Sequence, residues 1–165
     1  MVVKTWDYIE KNPLPEQFPE LAGVPGLEPF VVTEFSLPAR RRVYLSNGVI
    51  GLRLPAIPFL GADVAVNGLV GRTVENGVEG LAPAPFPIAA DIMVGKDRLS
   101  ERSDLVHMIC QSLNMSFGEL TTQFEFETDL AKVNVEVFTF ASRSLPTAIC
   151  QEITIVTDSD CEMIL

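Results

Sequence analysis

Three stretches in the second half of the chain limit what it can fold into. In "TTQFEFE", Phe124 and Phe126 alternate with Gln123, Glu125 and Glu127; "KVNVEVF" sets Val133, Val135 and Val137 against Asn134 and Glu136. In "AICQEITI", Ile149, Ile153 and Ile155 share one parity. Successive side chains of a strand point to opposite faces, so a period of two marks a strand with one face buried and the other in water. No segment keeps the apolar spacing of a packed helix for about ten residues, which predicts few or short helices. "FVVTEFSL", "VYLS", "VIGLRL", "ADVAV", "IAADIMV" and "LVHMICQSLNM" have the β-branched and aromatic texture of further strands. The expected class is all-β, an antiparallel β-sandwich.

Asn-Gly pairs begin at Asn47, Asn67 and Asn76. Such a pair suits a type I′ hairpin turn, in which both central residues take positive φ. "LAPAPFP", Leu81 to Pro87, reads as a proline-rich connection, and Phe117-Gly118 and "TDLA" at 128–131 as turns. Residues 1–29 form a separate lead, since Pro13, Pro15, Pro19, Pro25 and Pro29 remove backbone donors too often for a long helix or a central strand. Trp6, Tyr8 and Phe18 are its expected anchors. The sandwich domain is assigned to 30–165. Its ending, "ITIVTDSDCEMIL", reads as a strand, a polar turn and the opening of another strand, which predicts an incomplete sandwich, the N-terminal portion of a longer protein.

The 165 residues carry a formal net charge of −10, and Arg40, Arg41 and Arg42 form the one basic cluster. Phosphate backbones are repelled by that balance, so no nucleic-acid partner is expected. Trp6, Asp7 and Glu10 interrupt what would be the apolar region of a signal peptide, and no segment is long enough to span a bilayer. No membrane partner is expected. Cys110, Cys150 and Cys161 are too few and too scattered for a disulfide framework, and reduced thiols fit a cytoplasmic protein. The sequon at Asn114 is a chance occurrence in that setting.

The sequence patterns that mark most catalytic sites are missing. A zinc site needs three or four convergent ligands, whereas His107 is the single histidine and the cysteines are dispersed, so neither metal nor cofactor is expected. Any Ser-His-Asp site would have to use His107 as its base, and no G-x-S-x-G elbow supplies a nucleophile for it. Cys110 lies three residues from His107, an odd spacing that puts them on opposite faces of a regular strand. "GLVGRT" lacks the spacing and lysine of a phosphate loop. Glu119, Glu125, Glu127, Asp129 and Glu136 mostly occupy polar positions of alternating strands, where a solvated face accounts for them. In "YLSNGVIGLRLP", Asn47 and Gly48 make a turn, Ile50 and Leu52 face inward, and Arg53 faces the other way. On pattern alone an ordinary hairpin with an exposed arginine is the favoured reading, since Asn-Gly turns are common, while an arginine presented to sugar hydroxyls or a carboxylate also fits.

Taken in order, "YLSNGVIGLRLP", "VNGLVG", "PAPFPIAADIMVG", "CQSLNMSFGELTTQFEFE" and "VEVFTFASRSLPTAICQEITI" resemble the N-terminal β-sandwich of glycoside hydrolase family 65, over roughly Phe35 to Val156. The family includes trehalose, maltose and kojibiose phosphorylases, acid trehalases and related glucosidases. Asn47, Gly48, Gly51 and Arg53 match its Asn-Gly-x-x-Gly-x-Arg signature, and Ser142, Arg143, Leu145 and Pro146 are most similar to the trehalase and glucosidase branch. The resemblance implies a super-sandwich, similar to galactose mutarotase, followed in complete enzymes by an (α/α)6 catalytic barrel. The implied reaction is inverting attack on an α-glucosidic bond by water or phosphate, with inorganic phosphate as co-substrate in a phosphorylase. No catalytic residue carries over. Asn47, Arg53 and Asn67 are the candidate substrate contacts, and the implied partners are an α-linked glucose disaccharide and the barrel. The lead, the arginine triplet and residues 61–80 depart from the family pattern, which leaves the branch open. Two other functions fit the fold: a free-standing carbohydrate-binding module, and an assembly sandwich that forms a homo-oligomer.

Overall fold

The structure is a computed structural model that describes residues 31–35, 42–72 and 77–165. The lead over 1–29, its three aromatic anchors, Arg40, Arg41 and Asn76 lie outside the described residues.

The described residues are all-β and every strand pairing is antiparallel. A five-stranded sheet takes the order β1-β8-β9-β10-β11, from β1 (Val31–Phe35), β8 (Val106–Asn114), β9 (Glu119–Glu127), β10 (Lys132–Ala141) and β11 (Ile149–Thr157). A four-stranded sheet follows chain order through β2 (Val43–Ser46), β3 (Ile50–Leu54), β4 (Asp63–Arg72) and β5 (Glu79–Ala84). The short strands β6 (Met93–Val94), β7 (Asp97–Arg98) and β12 (Met163–Ile164) form a third sheet, in the order β12-β6-β7. Among the described residues there is one 3-10 turn, Ser103–Leu105, and no helix long and apolar enough to cross a membrane.

The two smaller sheets sit side by side on one face of the five-stranded sheet. Phe124, Phe126, Val133, Val135 and Val137 bury their side chains against Phe59, Ile92, Val94 and Leu99. Further along the same face, Leu120 packs with Leu45, Ile50, Leu52, Leu54 and Val64. Full burial of each such side chain contributes about 1.5–3 kcal/mol. A polar seam separates the two clusters: Gln111 Nε2 donates to Thr122 Oγ1 at 3.1 Å, and in the next ladder row Gln151 Nε2 donates to Thr139 Oγ1 at 3.0 Å. Thr122 and Thr139 are fully buried, so these bonds satisfy groups that water cannot reach.

The alternating strands of the second half form as their period predicts, but four sequence readings change. The positive φ of the first Asn-Gly pair falls on Gly48, at 88°, while Asn47 flanks the loop and donates its N–H to Ile50 O at 3.2 Å. Asn67-Gly68 is not a hairpin turn: it lies inside β4 where the register shifts between Ala65 and Val70, and Gly68 takes φ 85° at that bulge. Leu81 to Ala84 are strand, because β5 is the edge of its sheet and an edge tolerates Pro83. Within "IAADIMV" Met93 and Val94 alone are strand. The Asp91 carboxylate there accepts the N–H of Ile92 and of Ser100, local bonds that compete with a ladder.

Candidate functional site

The hairpin of β2 and β3 is built around Asn47. Its Oδ1 accepts the backbone N–H of Val49 at 3.0 Å and of Ile50 at 2.9 Å, which closes the turn from within. Its Nδ2 donates to Ser142 O at 2.6 Å and to Pro146 O at 3.0 Å, residues of the loop between β10 and β11. One side chain thereby ties the four-stranded sheet to the five-stranded sheet. With two donors and two acceptor bonds engaged, the amide has its hydrogen-bonding capacity filled by the fold.

Asn67 supports the same turn from β4. Its backbone N–H donates to Val49 O at 2.8 Å and its Nδ2 lies 3.4 Å from Gly48 O. The structure therefore brings Asn47 and Asn67 together. Arg53 stands apart, three residues beyond Ile50 on β3, which is about 10 Å along the strand. It is exposed, pairs in the ladder with Tyr44 and Asp63, and its side chain makes no hydrogen bond or ion pair among the described residues.

Tyr44, which sequence reasoning passed over, completes this face. It is 62% exposed, and its ring lies across Gly51: a Cβ there would stand 3.0 Å from Tyr44 Cζ and would collide with Oη. Beside it Arg42 pairs with Asp63 at 2.5 Å. The signal was available in "RVYLS", since antiparallel pairing puts Tyr44 on the face of Arg53. The resulting surface offers an aromatic ring, a rigid fork of arginine donors and the exposed Asn67, groups that suit hydroxyl-bearing or carboxylate ligands.

The groups that would support other chemistry are placed unfavourably for it. Cys110 and His107 share a face, contrary to the expectation from their spacing. A bulge at Ile109 sets His107 opposite Glu125 and Cys110 opposite Gln123, two residues apart on β9. Burial, with a smaller contribution from Glu136, pushes the Cys110 thiol up, away from the reactive thiolate. His107 is exposed with Glu127 Oε2 at 3.7 Å from Nε2. Among the described residues no group of three or more His, Cys, Asp or Glu side chains converges on a metal position.

The fold and the hairpin clamp define an antiparallel β-sandwich unit, and that fold has a counterpart among solved structures. It superposes 82% of its length on 21% of the chain described as "Putative kojibiose phosphorylase from human microbiome", with a TM-score of 0.67 and 15% identity. At that identity the likeness is one of fold, and the chain spans about a fifth of that protein's length. No family model and no curated protein matches the sequence.

Proposed function

We propose that this chain is the non-catalytic N-terminal sandwich unit of a cytoplasmic, inverting α-glucoside phosphorylase or hydrolase, acting as a scaffold for an (α/α)6 barrel that carries the chemistry. The observation that carries this reading is the superposition of most of the chain on one fifth of a putative kojibiose phosphorylase. The ordered signature residues support it as well. Asn47 and Gly48 set the hairpin, Gly51 accommodates Tyr44, and Arg53 is left exposed on the outer face. In this reading Asn67 and Arg53 lie toward the α-linked glucose disaccharide, and Asn47 acts by holding the hairpin in place. Inorganic phosphate is the co-substrate if the parent enzyme is a phosphorylase.

The test is made on the uninterrupted reading frame that contains this chain. Its product is incubated with kojibiose, trehalose and maltose, with and without phosphate, and assayed for glucose and glucose 1-phosphate. Release of glucose 1-phosphate only with phosphate assigns a phosphorylase, and release of glucose alone assigns a hydrolase. Absence of both products from a folded protein overturns the reading. Arg53→Ala in an active product is expected to lower turnover at unchanged thermal stability, and unchanged turnover removes Arg53 from the site.

A further inference from the structure

The face of the five-stranded sheet that points away from the core is not flat. An open cavity crosses its middle, lined by Ile109, Gln123, Asn134, Glu136, Thr154 and Val156. Ladder register explains the lining. Gln123, Glu136 and Thr154 form one row across β9, β10 and β11, and Glu125, Asn134 and Val156 form the next, about 7 Å away along the strands. The bulge in β8 supplies the wall, because the inserted residue, Ile109, is turned outward and stands 42% exposed. Val156, 59% exposed on β11, is the opposite wall.

Within those walls the polar groups differ in their commitments. Gln123 Nε2 donates to Glu136 Oε2 at 2.5 Å, and Gln123 Oε1 accepts from Cys110 Sγ at 3.5 Å, which fixes both side chains in place. The Asn134 amide and the Thr154 hydroxyl make no hydrogen bond to any described residue. Lys132, the nearest cation on β10, is held at 2.8 Å by Glu125. A prearranged carboxylate, an amide and a hydroxyl without partners, and two aliphatic walls thus face one opening.

We propose that this cavity is a binding site for a neutral sugar, separate from the surface around Arg53, with vicinal hydroxyls bonded by Asn134, Glu136 and Thr154 and the ring's C–H edges against Ile109 and Val156. Anions are disfavoured by Glu125, Glu136 and Glu152 on this face and by the net charge of −10. A cation would leave the two Asn134 donors without an acceptor, whereas hydroxyls both donate and accept.

The experiment is an NMR titration of the isotope-labelled 165-residue chain with glucose, with n-butylamine as the cationic comparison. Saturable shifts are expected at β9, β10 and β11 around Asn134 and Thr154. Asn134→Ala and Thr154→Val are each expected to weaken binding roughly tenfold, the loss of one or two hydrogen bonds. Lys96→Ala, on the exposed turn between β6 and β7, is expected to leave binding unchanged. Absence of saturable shifts, shifts confined to residues 44–53 and 67, or tighter binding of butylamine would overturn the proposal. Because the shift map uses the unsubstituted chain, it decides the matter even if a variant does not fold. The product assay on the longer reading frame is indifferent to this result, so the two readings fail separately.

Discussion

Replacing Asn47 by alanine tests whether the hairpin asparagine is a clamp or a ligand contact. Three of its four hydrogen bonds, to Ser142 O and from the N–H groups of Val49 and Ile50, are part-buried, and the fourth, to Pro146 O, is exposed. A part-buried bond contributes about 1 kcal/mol net, and water replaces most of an exposed one, so the loss should be about 3 kcal/mol. For a chain of this size that corresponds to a fall in Tm of about 6–12 °C. Asn47→Asp retains the acceptor but sets a carboxylate against two carbonyl oxygens, so it should destabilise at least as much. Thermal melts followed by circular dichroism, with urea titration to obtain the free energy, read both variants. A Tm within about 2 °C of the unsubstituted chain for Asn47→Ala would refute the clamp. Loss of sugar affinity at an unchanged Tm would instead return Asn47 to the list of ligand contacts.

Other consequences follow from the core and its edges. Thr122→Val leaves Gln111 Nε2 without its acceptor in a buried seam and should cost about 1–3 kcal/mol, while the double variant with Gln111→Leu should recover most of that loss in the same urea assay. Phe124→Ala empties a fully buried position whose ring lies 6.1 Å from that of Phe59, and should cost about 3–5 kcal/mol. Burial raises the Glu119 pKa, so the folded state holds this proton more tightly than the unfolded state does. The resulting stability is present below the unfolded pKa and is lost as pH rises through the folded one. Glu119→Gln should accordingly raise Tm at pH 7, with the gain shrinking as pH falls toward about 4. An equal gain at both pH values would contradict that origin.

The fold was legible where period alone decides the structure. "TTQFEFE", "KVNVEVF" and "AICQEITI" declare which parity is buried, and β9, β10 and β11 obey them. What the alternation could not show was register. Nothing in "VHMIC" marks Ile109 as an inserted residue, yet that insertion puts His107 and Cys110 on one face and turns Ile109 outward. The same limit hid β5, since "EGLAPA" is a strand only because it lies at an edge where Pro83 gives up no needed bond. Gly68 is the converse case: an Asn-Gly pair that suits a hairpin turn also suits a bulge, because each places a glycine at positive φ.

The candidate site shows how far a short signature can be explained by folding alone. Asn47 is accounted for by four internal hydrogen bonds, Gly48 by its φ of 88°, and Gly51 by the Tyr44 ring that covers it. Arg53 has no such account. It is exposed, forms no pair among the described residues, and has Asp63 as a ladder neighbour that is already engaged by Arg42. An exposed arginine with no pair among the described residues can be replaced at little cost to their packing, which directs any requirement for it to a ligand or a partner surface. The fold thus divides a four-residue motif into three members that shape the hairpin and one that the hairpin presents. On that division, substitutions at the first three should be read out in folding, and those at Arg53 in binding or turnover.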